Sequence, residues 1–237
     1  MIDVNKLLVF DVWSDYAHIK KVFTTMSPLS FPFPGRTALQ GIIGAITGID
    51  KKDNPEFFIG QNFYIGLRVL NPIKKVVIPH NNLKVTSKKH FIRYEDHKPQ
   101  NIEFIKDPKY RIYFTCRDNV FYDKLKKYLV NHLSIYTPSI GIAQTLANFV
   151  FVGEFDFEKK IASNNYVQIN SVCEKSVVSD IDFGASKIFT VVLPNRMKND
   201  REVVEYKEFI YDADASILKI KIDSYYSVSN GDNIVFL

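Results

Sequence analysis

The stretch FPFPGRTALQGIIGAITG, residues 31–48, constrains the fold more than any other, because it joins a Pro/aromatic entry to a helix with two dissimilar faces. Pro34 and Gly35 stop a preceding strand. Leu39, Ile42, Ile43 and Ile46 then recur at i, i+3, i+4 and i+7, which predicts a helix over 36–47 with one apolar stripe. Ala38, Gly41, Gly44, Ala45 and Gly48 form a second stripe of small residues. A glycine inside a helix costs roughly 1 kcal/mol relative to alanine. Gly41 and Gly44 are therefore expected where another backbone or a ligand comes close, while Gly48 reads as the C-cap. Arg36 and Thr37 stand at the helix start, where unpaired backbone N–H groups and the helix dipole favour an anion such as phosphate. A tightly packed helix without any ligand satisfies the same spacing.

The pattern around this helix predicts an α+β, ferredoxin-like domain: two helices on one face of a four-stranded antiparallel sheet. Residues 6–12 read as the first strand and 63–70 as the second. Residues 110–117 alternate, with Tyr110, Ile112, Phe114 and Cys116 on one face and Arg111, Tyr113, Thr115 and Arg117 on the other, giving the third strand. Asp118 or Asn119 can cap a second helix, along one side of which lie Phe121, Leu125, Tyr128, Leu129 and His132. Residues 149–157 complete the set. This domain is expected over 1–156, with an insertion at about 72–99. Residues 157–237 read as a small β-rich module with strands at 187–193, 203–211, 217–222 and 234–237, separated by turns at Asn195, Asp212, Asp214, Asn230 and Gly231.

Charge is unevenly distributed. Residues 1–155 hold 21 Lys/Arg against 13 Asp/Glu, a surplus of +8, whereas 156–237 hold 10 against 13. Within 74–98, Lys74, Lys75, Lys84, Lys88, Lys89, Arg93 and Lys98 face only Glu95 and Asp96, and His80, His90, His97, Phe91 and Tyr94 are interleaved with them. Cations for phosphates and aromatic faces for bases are what a nucleic-acid contact needs; a solvated hairpin is the alternative. The mild acidity after residue 156 points to a protein partner there instead. No apolar run approaches the ~20 residues of a membrane span, and residues 1–10 lack a secretory pattern, so a cytoplasmic protein is expected. The two cysteines, Cys116 and Cys173, have no metal-ligand spacing and read as reduced core residues. No metal and no cofactor is expected.

Five strings in order carry a resemblance: the 31–48 element after an N-terminal strand, KDPKYRIYF at 106–114, YTPSIGIAQTLANFVFVGEF at 136–155, LPNRM at 193–197 and GDNIVFL at 231–237. Together they resemble the CRISPR-associated RAMP family five, particularly its type I-B branch. That family is the subunit holding the 5′ end of the guide RNA in type I effector complexes. The resemblance implies a non-catalytic crRNA-binding subunit of a Cascade surveillance complex. It would grip the 5′ handle and cap the backbone for antiviral defence. Its partners would be crRNA, the repeated backbone subunit and the large subunit, with target DNA nearby. Residues 72–99 would be the family's β-hairpin thumb, with arms around a turn at His80, Asn81 and Asn82. Lys88, Lys89, His90 and Arg93 would line the thumb, and Arg36 and Thr37 would hold a handle phosphate, with Lys20 and Lys21 as further RNA contacts. Ser139 and Gly141 match a glycine turn near the RNA, entering a short helical stretch at 142–147, with a tight connection into the fourth strand as the alternative reading of Gly141.

Metal-independent RNA cleavage needs a general base, a general acid and a cation at the phosphate. Lys88, Lys89, His90 and Tyr94 supply those types, and the type I-C branch processes repeat RNA with Tyr, Lys and His. No full set aligns to this chain, so no catalytic residue is assigned; a repeat-RNA endoribonuclease is the alternative function.

Overall fold

The computed structural model describes residues 6–24, 27–60, 63–83, 97–163, 165–184 and 186–237. The chain is a strand-rich α/β structure. It begins β1 (Lys6–Trp13), β2 (Tyr16–Ala17), α1 (Arg36–Thr47), α2 (Asn54–Gly60) and β3 (Phe63–Val69), then β4 (Lys74–Leu83), β5 (His97–Lys106), β6 (Lys109–Cys116), α3 (Asn119–Val130) and β7 (Asn148–Ile161). Short strands follow: β8 (Tyr166–Ile169), β9 (Cys173–Glu174), β10 (Val178–Ile181), β11 (Ile188–Met197), β12 (Val203–Asp212), β13 (Leu218–Ile222), β14 (Ser224–Val228) and β15 (Asn233–Ile234).

The main sheet has the order β15-β14-β7-β1-β6-β3, with every neighbouring pair antiparallel. Because β1 is central, its alternating side chains enter two different cores. Leu8, Phe10 and Val12 pack with Leu39, Ile42, Ile43 and Ile46 of α1 and Phe121, Leu125 and Leu129 of α3. Leu7 and Val9 pack on the opposite face with Tyr113, Phe157, Val228 and Ile234. This explains the continuous apolar run of KLLVFDV: a strand covered on both faces has no solvent side to alternate with. Each fully buried Leu or Ile here contributes ~1.5–3 kcal/mol. Three smaller sheets, β10-β13-β8, β11-β12-β9 and β2-β5-β4, surround the main one. Ile169, Cys173, Ile210, Leu218, Ile220 and Ile222 make a separate cluster, whereas Val172, Leu193, Phe209 and Leu237 belong to the main core.

Polar groups lock the opposite face of the sheet. Arg111 on β6 donates to Asp11 on β1 through Nε (2.8 Å) and Nη2 (3.2 Å). Asp232, just before β15, accepts from Arg68 on β3 (2.8 Å) and from the Tyr113 hydroxyl (2.8 Å). Two carboxylates and two guanidiniums thus knit β1, β3 and β6 to the 231–237 segment.

Several local expectations are corrected. His80, Asn81 and Asn82 are not a turn: they lie within β4, paired with Gln100, Pro99 and Lys98, so the reversal lies beyond Leu83, in 84–96, outside the described residues. The returning arm continues to Lys106, past the expected limit at 99. Residues 142–147 form a tight turn closed by a Ser139–Leu146 bridge rather than a helix, because Thr145 Oγ1 donates to the carbonyls of Ile140 (2.9 Å) and Ile142 (2.7 Å). The strand expected at 234–237 is confined to Asn233–Ile234. Gly41 has open space where a Cβ would stand, so no close approach explains it. At Gly44 a Cβ would collide with Asn54 Nδ2, the group that donates to the Gln40 carbonyl at 3.1 Å. Gly48 is the C-cap, with φ 81° and its N–H bonded to the Gly44 carbonyl.

Candidate nucleic-acid interface

The β4–β5 hairpin leaves the main sheet and rejoins it at a single place. β3 and β6 are paired up to Val69 and Tyr110, and the Leu70 N–H donates to the Lys109 carbonyl at 2.9 Å. The hairpin is therefore an insertion between two sheet neighbours, free to project without breaking the sheet. Its base is held at Glu103, whose carboxylate accepts from the Ser30 N–H (3.0 Å) and from Lys75 Nζ (2.9 Å). Buried His18 donates through Nδ1 to the Glu103 carbonyl at 2.7 Å, and the Phe104 ring lies between His18 and His80, 5.4 Å from each. The hairpin is cationic at its root and again farther out: Lys74, Lys106 and Lys98 are exposed, and at the root Lys74 sits directly across from Lys106, a like-charge pair that an anion would relieve. Lys88, Lys89, His90 and Arg93 fall in 84–96, outside the described residues.

Lys20 and Lys21 lie beside this base. The Lys20–Ser30 bridge and the pairing of β2 with β5 bring them there, and Lys21 Nζ is 5.7 Å over the Phe31 ring. Phe23, 74% exposed, follows directly. Sequence reasoning passed over it, although an aromatic two residues beyond paired lysines was the available signal. Gly141 lies near the same place for a steric reason. With φ 101°, it bridges His18 so closely that a Cβ would stand 1.9 Å from the His18 carbonyl oxygen. Ser139 closes that turn.

Arg36 points inward. Its Nη1 and Nη2 donate to the carbonyls of Leu237 (3.0 Å) and Phe63 (3.4 Å), its guanidinium lies 4.3 Å over the Phe63 ring, and burial holds its pKa below the ordinary arginine value. Half-buried Thr37 follows it. Arg36 also borders a cleft of about 390 Å³, shared with Tyr64, Asn195, Arg196, Glu205 and Lys207. The LPNRM string supplies that wall: β11 runs so near α1 that a Cβ on Gly35 would meet Leu193 Cβ and the Pro194 carbonyl oxygen at 3.3 Å.

Residues 7–132 match the family model described as CRISPR-associated protein (Cas_Cas5). The chain belongs to this family. Its fold is also that of a CRISPR protein from Archaeoglobus fulgidus, at 13% identity and a TM-score of 0.58 over 98% of this chain and 99% of that one. A chain of a structure titled "CRISPR RNA-guided surveillance complex" is similar at 11% identity and a TM-score of 0.54, covering 90% of this chain and 91% of that one. No curated protein matches. In this Cas_Cas5 member the matched residues contain β1, α1, the hairpin, β6 and α3, and so both the sheet and the projecting insertion. Among the described residues, no group of His, Cys, Asp and Glu could hold a metal ion, and no helix is long and apolar enough to cross a membrane.

Proposed function

We propose that this chain is a non-catalytic crRNA-binding subunit of a type I CRISPR surveillance complex, gripping the 5′ handle of the guide RNA and capping one end of the backbone. The observation that carries this reading is the β4–β5 hairpin: a cationic arm, inserted between adjacent strands of a Cas_Cas5 family member and anchored at its base by Glu103, His18 and Phe104. The order β7-β1-β6-β3, with α1 and α3 packed on one face, supports a ferredoxin-like core, and the hairpin would be its thumb. RNA would run across Lys20, Lys21 and Phe23 at the hairpin base and along the arm that carries Lys88, Lys89, His90 and Arg93. Neighbouring protein subunits, a repeated backbone subunit and a large subunit, would complete the assembly close to target DNA in the cytoplasm.

The test is to incubate the protein with labelled CRISPR-repeat RNA in EDTA and resolve bound from cleaved species across several salt concentrations. Salt-sensitive binding without cleavage is expected. Replacing Lys88, Lys89 and Arg93 with Ala should weaken it and reduce the salt slope by about 2, since each lost phosphate contact on a single strand removes roughly 0.7 from the slope. Cleavage at one position, abolished in His90→Ala, would make the protein a processing endoribonuclease instead.

A further inference from the structure

The three-stranded sheet at the root of the hairpin turns one face to the core and the other to solvent. β5 is its middle strand, so Lys106 has a partner on each side: Tyr16 on β2 and Lys74 on β4. Directly opposed residues share a face. The neighbouring residues Ala17 and Ile105 alternate to the other face and are buried in the main core. Tyr16, Lys106 and Lys74 therefore stand in one line across the outer face, and all three are exposed. With strands ~4.8 Å apart, that line is about 10 Å long.

The two lysines of the line are uncommitted. On the opposite face Lys75 is paired with Glu103 at 2.9 Å, whereas neither Lys74 nor Lys106 has an ion-pair partner among the described residues. Like charges placed directly across a strand pair repel, so the empty row is an unfavourable arrangement. The acids nearest in sequence, Asp15 and Asp107, line a cleft with Trp13 and Lys109 that neither Lys74 nor Lys106 borders. The aromatic end of the line is held firmly. Ser14 Oγ donates to the Tyr16 carbonyl at 2.8 Å, and the buried Phe104 ring meets the Tyr16 ring with centroids 6.1 Å apart and planes 78° apart. Tyr16 is still 39% exposed.

We propose that this row seats one nucleotide of a single RNA strand, with the base stacked on Tyr16 and the phosphate between Lys106 and Lys74. The site deepens the RNA-binding reading and rests on it: the nucleotide is one residue of the bound guide. The phosphate supplies the anion that the opposed lysines lack, and the ring beside them supplies a stacking platform, the pairing of cation and aromatic face by which proteins hold single strands. Stacking accepts any base, so this row grips the strand without reading its sequence. An acidic peptide would satisfy the lysines alone and leave the Tyr16 ring without a role.

The experiment measures labelled repeat-RNA affinity against salt concentration for the full chain and for Lys74→Gln, Lys106→Gln, Tyr16→Ala and Tyr16→Phe, with a melting temperature for each. Each lysine variant should weaken binding and lower the salt slope by roughly 0.7, while its melting temperature stays the same or rises because the repulsion is gone. Tyr16→Ala should weaken binding roughly fivefold or more at an unchanged slope, on the scale of one lost base stack. Tyr16→Phe, which keeps the ring, should bind more tightly than Tyr16→Ala by a similar factor. Wild-type slopes in both lysine variants, or wild-type affinity in Tyr16→Ala, overturn the assignment and leave the RNA-binding reading intact. Displacement of the RNA by polyglutamate as effectively as by unlabelled RNA of equal charge would give the row to an acidic protein and also overturn it. If the unaltered chain fails to bind repeat RNA at any salt concentration, the RNA-binding reading itself fails.

Discussion

Gly141 and Gly41 respond oppositely to the same substitution. At Gly141, φ is 101° and a Cβ would lie 1.9 Å from the His18 carbonyl oxygen, so Gly141→Ala both strains the backbone and clashes. Left-handed strain alone costs about 1–3 kcal/mol, and denaturant unfolding should register at least that loss. Gly41 lies exposed in α1 with nothing within 4 Å, and Gly41→Ala should raise stability by about 0.5–1 kcal/mol. The sequence shows both glycines equally; only the chain that passes His18 separates them, and that approach is 123 residues apart in sequence. Cys116 was legible as a core residue from the alternation of its strand. Burial pushes its thiol up to about 12, and Cys173 is raised by the same cause. Neither should react with a disulfide reagent at pH 8 in the folded protein, whereas both should react in denaturant; a fast native reaction would mean that one of them is accessible.

Among the elements, α3 owes its start to Asp118, whose Oδ1 accepts from the N–H groups of Val120 (2.9 Å) and Phe121 (3.1 Å). Asp118→Ala should cost about 1 kcal/mol, read as a shift in the denaturant midpoint without a change in slope. The long elements α1, α3 and β6 were legible because their apolar periods extend over whole turns or several alternations, and β1 as an unbroken apolar run of strand length. β8, β9, β10 and β14 were not, since two to five residues carry too little period, and α2 is a seven-residue helix. The hairpin was read as an insertion from its charge, but its reversal was misplaced: HNN resembles a turn, while pairing through Leu83 and His97 decided otherwise. Because β3 and β6 are joined beneath it, replacing residues 78–102 with a two-residue Asn-Gly turn should leave the fold intact. Phe104 and Ile105 stay in place, so the melting temperature should change by a few degrees at most, while repeat-RNA affinity collapses. A shortened chain that binds RNA as before would exclude the arm from the interface.

Across the whole molecule, the closing segment holds the sheet together electrostatically. Asp232 accepts from Arg68, Tyr113 and Asn230 Nδ2, and its neighbour Arg111 is held by Asp11. Asp232→Ala strands Arg68 in a partly buried site, a change that costs about 3 kcal/mol or more. Calorimetry should show it as a lowered transition for the main sheet. The string GDNIVFL was noticed in the sequence only as a family likeness; its carboxylate's partners on the sheet, Arg68 and Tyr113, are more than 100 residues away and leave no local trace. The position of that carboxylate also governs the order of assembly during synthesis. A ribosome delivers β1, β3, β6 and β7 long before residue 232, so the emerging chain holds Arg68 uncompensated and the outer edge of β7 bare until β14 and β15 arrive. The sheet is completed only once β14 and β15 have been made, and until then that edge is open to pairing with whatever strand is nearest.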